Sequence, residues 1–132
     1  MGEFEKTIGY YESSSAEDWK IAQKLFDSKD YSYCLFFCHL ALEKLLKAVV
    51  VKKVNEHPPF THFLARLAEL AELPLDEVQI ADLNEITKFN IATRYEDDKR
   101  EFRKLATKTY AEKYLAITET FIQWLKQNYL NR

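Results

Sequence analysis

Glycine, proline, cysteine, histidine and net charge are all scarce in this chain, and each scarcity narrows the reading. Two glycines and three prolines in 132 residues leave few turns, which argues against a sheet-rich fold. A formal net charge of −2 gives no global electrostatic case for nucleic-acid binding, so any such site must be local. No run of roughly 18 apolar residues exists, so no membrane span is expected. The opening MGEFEKTIGYYES has neither the basic nor the apolar region of a signal peptide, and a cytoplasmic location is the expectation. The two cysteines, Cys34 and Cys38, sit one helical turn apart on an apolar stripe. They read as small core residues in a reducing compartment. With His39 beside them they could be metal ligands, but an imidazole turned about 100° away makes a poor tetrahedral partner. Neither a metal nor a cofactor is expected.

What is present is helical periodicity. Hydrophobic residues make up 47% of the chain, too many for a disordered segment, and the length suits one domain. The dominant stretch is Tyr31–Val54, YSYCLFFCHLALEKLLKAVVVKKV, free of glycine and proline. Cys34, Cys38, Ala41, Leu45 and Ala48 share one stripe, and Leu35, Leu42, Leu46 and Val49 widen it. Tyr33, Phe36 and Leu40 add a further apolar sector at the start, to be covered by another helix of this chain or by a second copy. Glu43, Lys44 and Lys47 read as a wet helix face, or as one wall of a groove.

Residues 1–12 read as a flexible lead, with a single helical domain over residues 13–132. Ser13, Ser14 and Ser15 offer caps for a first helix from about Ala16 to Asp27. Asp30 is placed to cap the second. Pro58 and Pro59 end that helix. Thr61 is placed to cap a short third helix carrying Leu64, Leu67, Leu70 and Ala71. Pro74 opens a fourth, with Ile80, Leu83, Ile86, Thr87 and then Asn90 on one face. Arg94–Lys104, RYEDDKREFRK, reads as an irregular charged link. Thr107 caps a last helix reaching about Asn128, striped by Tyr110, Tyr114, Ile117, Phe121 and Trp124. The expected fold is all-α: an up-and-down four-helix bundle with one short additional helix.

Three segments in this order resemble the HEPN family of small prokaryotic helical proteins. They are CHLALEKLLKAVV at residues 38–50, THFLARLAEL at residues 61–70, and RYEDD at residues 94–98 ahead of a long helix containing Trp124. The resemblance implies a helical bundle that often dimerises. It implies a nucleotide- or RNA-related role, and for many members a minimal nucleotidyltransferase partner with which they form a toxin–antitoxin pair. Other members cleave RNA with an Arg followed, after a short gap, by a His. Here Arg94 matches the Arg, while Lys99, Arg100 and Glu101 stand where the His falls. No His follows His62. Lysine and arginine are normally locked in the protonated state, so they do not replace an imidazole in proton transfer.

Two functions follow. One is a nucleotide- or RNA-binding or interaction subunit, homodimeric and partnered by a nucleotidyltransferase. Its binding residues would be Arg94, Tyr95, Lys99, Arg100, Asn90 and Lys47, with cations holding phosphate and Tyr95 stacking on a base. The alternative is a ribonuclease with a displaced proton-transfer group, drawing on Arg94, His62 and Asp98. His62 serves that chemistry only if the fold brings it to Arg94; otherwise it caps its helix or meets a nearby carboxylate. His39 reads as a satisfied structural histidine and His57 as solvated in its proline loop. The Arg94–Lys104 charges could equally pair among themselves in an exposed linker.

Overall fold

The computed structural model describes residues 4–130, with only the backbone of Thr93. Every regular element among them is helical. The order is α1 Glu5–Asp27, α2 Tyr31–Val54, α3 Leu64–Leu70, α4 Glu77–Thr87, a 3₁₀ turn Ile91–Thr93, α5 Glu96–Leu105 and α6 Lys108–Tyr129. The all-α bundle is as expected, but its parts differ. Three long helices, α1, α2 and α6, form the frame; α3 and α4 close over α2.

The centre is α2. Leu35, Leu42, Leu45, Leu46, Val49 and Val51 are buried, and so are Ala41, Ala48 and Val50. From Leu45 to Val51 every residue except Lys47 is buried, so the helix is covered on nearly every side there. Cys34 and Cys38 are buried free thiols packed with Ala22 of α1. From α6, Ala111, Tyr114, Phe121, Ile122 and Leu125 complete the core, while Trp124 is only half-buried and stacks edge-on to Tyr129 at 5.3 Å.

The start of α1 corrects the expected lead, because the helix begins at Glu5 rather than Ala16. Ser15 does not cap; its buried hydroxyl donates to the Ala41 carbonyl of α2 at 2.7 Å. Tyr11 and Ile8 pack on the core one and two turns before it. The signal lay in the sequence, as the stripe Ile8, Tyr11, Ser15, Trp19 and Ala22, where a serine and a tyrosine disguised an inward face.

Asp30 likewise makes no cap bond at the start of α2; its carboxylate accepts from Ser28 Oγ at 2.8 Å. The α1–α2 link instead closes by backbone bonds, Lys29 N–H to Phe26 O at 3.0 Å and Asp30 N–H to Leu25 O at 2.8 Å. That doubled closure is a Schellman ending, with Lys29 at φ 68° where a glycine is usual. At α4 the N-cap is Asp76 rather than the neighbourhood of Pro74, and Asp76 and Gln79 form a reciprocal capping box.

The expected irregular link at Arg94–Lys104 is mostly helix α5. Three of its four acids, Glu96, Asp97 and Asp98, fall in the first turn, and Arg103 and Lys104 in the last. That order complements the helix dipole, and Arg100–Asp97 at 3.7 Å and Lys104–Glu101 at 3.3 Å add i,i+3 pairs. Charge density signalled a solvated helix, not a missing one. Phe102 anchors it against the fully buried Phe89, which also meets Tyr110 and Tyr114.

Two stability outcomes follow. Leu45→Ala, at a fully buried site, should lower unfolding free energy by about 2–5 kcal/mol in denaturant titration. A loss indistinguishable from zero would mean that the α2 face is wrong. Thr107 accepts from the Tyr110 N–H at 3.2 Å as the α6 cap, so Thr107→Ala should cost about 1 kcal/mol in the same measurement.

Candidate functional site

One turn of helix separates His39 from Glu43 and Glu43 from Lys47, so the three side chains stack along one edge of α2. The wet-face reading of Glu43 does not hold. It is 6% exposed. Its carboxylate accepts from Lys47 Nζ at 2.8 Å and from His62 Nδ1 at 2.9 Å. His39, fully buried, lies with Nε2 at 3.5 Å from the same carboxylate and donates from Nε2 to the His62 carbonyl at 3.2 Å. Lys44, read with Glu43 and Lys47 as part of a wet face, reaches α1 and pairs with Asp18 at 2.6 Å.

His62 arrives there because of how α2 ends. Asn55 takes φ 59° and stops the helix, and Pro58 and Pro59 keep the chain from restarting one. Phe4 of the N-terminal segment meets the His57 ring edge-on at 4.8 Å. Thr61 caps no helix; its hydroxyl accepts from the Phe63 N–H at 3.2 Å. The first N–H of α3, on Leu64, donates to Thr87 Oγ1 at the end of α4 at 3.1 Å, and that hydroxyl donates to the Leu83 carbonyl at 2.9 Å. The segment bearing His62 is therefore pinned to α2 on one side and α4 on the other.

The chain leaving α4 supplies the opposite wall. After the buried Phe89, Asn90 opens the 3₁₀ turn and Arg94 closes it. Arg94 folds back so that Nη2 donates to the Lys88 carbonyl at 3.1 Å, which leaves most of its guanidinium donors available to a ligand. Between the two walls lies a cleft of about 290 Å³, lined by Phe60, Thr61, His62, Phe63, Thr87, Asn90 and Arg94. No carboxylate lines it.

The charge states follow from these contacts. Burial pushes the Glu43 carboxyl up, but hydrogen bonds from Lys47 and His62 and the neighbouring imidazole of His39 more than reverse this, and it ends below the usual carboxylate range. Burial pushes His39 down, and the His62 carbonyl and the Glu43 charge only partly oppose it. A neutral His39 also fits its bonding: Nε2 carries the proton it gives to the carbonyl, and Nδ1 is buried without a partner. Among the described residues no group of three or more His, Cys, Asp or Glu is arranged to hold a metal ion, this cluster included.

Of the expected site residues, the fold brings Arg94, Asn90 and His62 into one cleft. Lys47 stands behind it, joined to His62 through Glu43. Tyr95, Lys99 and Arg100 do not line it; Tyr95 is exposed at the start of α5, and Arg100 faces Asp97. Asp98 lies beyond Arg94 in a separate groove with Lys88, Ile91, Glu101, Phe102 and Leu105. Phe60, Phe63 and Thr87 line the cleft without having been named as site residues from sequence, and of the two environments open to Glu43 the wet face is the one that does not hold. The i,i+4,i+8 series His39, Glu43, Lys47 was the available signal. A larger cavity of about 320 Å³ between α4 and α6, lined by Gln79, Asp82, Ala116, Ile117, Thr120, Phe121 and Trp124, has no comparable convergence of charge.

The same architecture is seen in the crystal structure of TT1696 from Thermus thermophilus. The two share 21% identity at a TM-score of 0.73, over 91% of this chain and 96% of that one. That likeness speaks for the fold alone. No curated protein matches the chain. The HEPN domain model matches residues 13–128, nearly the whole helical array that carries the cleft, and the chain belongs to the HEPN domain family.

Proposed function

We propose that the chain is a nucleotide- or RNA-binding HEPN subunit whose site is the cleft between the 60–63 segment and the 3₁₀ turn. One observation carries this reading: His62 and Arg94, far apart in sequence, line one pocket without a carboxylate among its lining residues. A guanidinium there holds phosphate by charge-assisted, forked hydrogen bonds. Asn90 and Thr87 offer further polar atoms to a ribose or base edge.

A second reading, cleavage of the bound RNA, is favoured by the His62–Glu43 bond. Because Nδ1 donates to the carboxylate, Nε2 is the basic nitrogen left to the ring, and the bond fixes its orientation. In that chemistry Nε2 takes the proton of a ribose 2′-hydroxyl, and the 2′-oxygen bonds to phosphorus. The bond to the 5′-oxygen breaks, and that oxygen takes a proton from water. A cyclic phosphate and a 5′-hydroxyl end result. Histidine acid–base catalysis of this kind contributes typically 10²–10⁴-fold. Arg94 would steady the phosphate, with His62 in the place of the family's later histidine.

The assembly side of the proposal is a cytoplasmic homodimer that partners a minimal nucleotidyltransferase in a toxin–antitoxin-like pair. Its support is the family and the patch on α2, where Tyr33 is 52% exposed and Phe36 and Leu40 are half-buried. No described helix is long and apolar enough to cross a membrane.

Three measurements test these statements. Labelled RNA should bind the wild type with an affinity that falls as salt rises, and Arg94→Ala should abolish binding while circular dichroism stays helical. His62→Gln separates the two readings. Wild-type cleavage that disappears in His62→Gln with binding kept establishes the nuclease, whereas binding without wild-type cleavage leaves the binding subunit. Sedimentation at micromolar concentration should give twice the 15.6 kDa chain mass, and Leu40→Glu should return it to the monomer. A wild-type monomer at every concentration would remove the dimer.

A further inference from the structure

The cleft has two side chains that neither phosphate binding nor proton transfer uses. Phe60 is 106% exposed and Phe63 67% exposed, and both line the pocket that holds His62 and Arg94. Isolated exposed apolar residues need no explanation. Two phenyl rings at the mouth of one cationic cleft, on a segment whose backbone is fixed, are a different matter. Four bonds hold that segment: His39 to the His62 carbonyl, Glu43 to the His62 ring, Thr61 to the Phe63 N–H, and Thr87 to the Leu64 N–H. Pro58 and Pro59 stiffen its approach. The rings are thus presented to solvent by a framework that gives the backbone little freedom to withdraw them into the core.

A nucleobase is the ligand part that matches this presentation. It offers a flat apolar face to a phenyl ring, while its phosphate reaches a guanidinium a short distance away, and stacking of this kind tolerates any base. In a duplex the base faces are already covered by their neighbours, and only an unpaired base is free to stack on protein. The volume points the same way. At about 290 Å³ the cleft lies at the lower end of ligand pockets, roughly 300–1,000 Å³, which suits a nucleotide and not a double helix. Charge complementarity also holds, because the lining has Arg94 and no acid, whereas the groove on the far side of Arg94 contains Asp98 and Glu101. An anionic strand is steered to the Phe60 side.

We infer that Phe60 and Phe63 form a base-stacking pair that makes the cleft select unpaired nucleotides, single-stranded RNA over duplex. The inference rests on the RNA-binding reading above and adds the specificity determinant to it. Arg94 supplies affinity for any phosphate; the phenyl rings supply the preference for an accessible base.

The test is fluorescence anisotropy with the full chain and two probes, a labelled oligoadenylate and the same strand annealed to oligouridylate. Ribose 5-phosphate and AMP serve as competitors. The wild type should bind the single strand more tightly than the duplex, and AMP should displace it better than ribose 5-phosphate. Phe60→Ala and Phe63→Ala should each weaken single-strand binding roughly 5- to 150-fold, the range for one lost stack, and leave duplex binding unchanged. Both residues are exposed, so circular dichroism should report an intact bundle. Phe60→Tyr should restore binding, because stacking needs the ring and not its substituent. If single strand and duplex bind alike and the phenylalanine variants match wild type while Arg94→Ala still abolishes binding, the stacking pair is wrong and the phosphate site stands. If neither probe binds the wild type, both readings fall, and the exposed rings belong to a protein contact.

Discussion

Glu43 is a carboxylate taken out of water in the middle of the longest helix, and the site depends on how its charge is met. A buried carboxylate without partners would take up a proton. Here Lys47, His62 and His39 surround it, and the balance keeps it ionised. Removing one partner of such a group typically costs about 3–5 kcal/mol, because the remaining charge is left in a low dielectric. Helix α2 does not need this cluster, since its apolar packing holds it. The His62 segment does, because its ring and carbonyl are both tied to α2 through Glu43 and His39. A polar cluster in the core thus acts outward, fixing a loop that packing alone would leave free.

The second constraint is the scarcity of glycine. Three helices end on residues in the left-handed region, and none of the three is glycine: Lys29 at φ 68°, Asn55 at 59° and Glu72 at 54°. Asparagine tolerates this conformation; for lysine and glutamate it costs of the order of 1–2 kcal/mol. The geometry survives because backbone bonds over-determine it. Glu72 repeats the closure seen at Lys29, with its N–H on Glu69 O at 2.9 Å and Leu73 N–H on Ala68 O at 3.0 Å. Each of these ends positions the next element: α2 against α1, the 56–63 segment against α2, and α4 against α3. The route of the chain therefore turns on left-handed residues where no glycine stands.

That is why the sequence was legible in its helices and opaque in its ends. The apolar stripes of α2 and α6 are long enough for periodicity to be decisive, and Thr107 caps α6 where expected. Elsewhere the side-chain hydrogen bonds that sequence rules rely on were redirected by tertiary partners. Ser15 turned inward to a carbonyl of α2, Asp30 took a hydroxyl, and Thr87 rather than Thr61 met the first N–H of α3. In the site, Arg94, Asn90 and His62 were visible as residue types, but their meeting was not. It depends on two loops far apart in sequence that pack side by side, which local spacing does not encode. Glu43 stayed open between two readings for a related reason: Glu-Lys spacing on a helix has the same pattern whether water or a loop lies over it.

The missing histidine after Arg94 gains a different meaning from this geometry. A catalytic or binding site is a set of atoms in space, and sequence order is only one way to assemble it. With Arg94 at the end of the 3₁₀ turn and His62 on the facing segment, the cleft contains both a guanidinium and an imidazole although no short motif joins them. A histidine placed on α5 would stand on a helix with no buried residue. His62 instead stands on a segment locked to the core. For a site that must hold a phosphate and a ring in fixed relation, the second arrangement is the stiffer one.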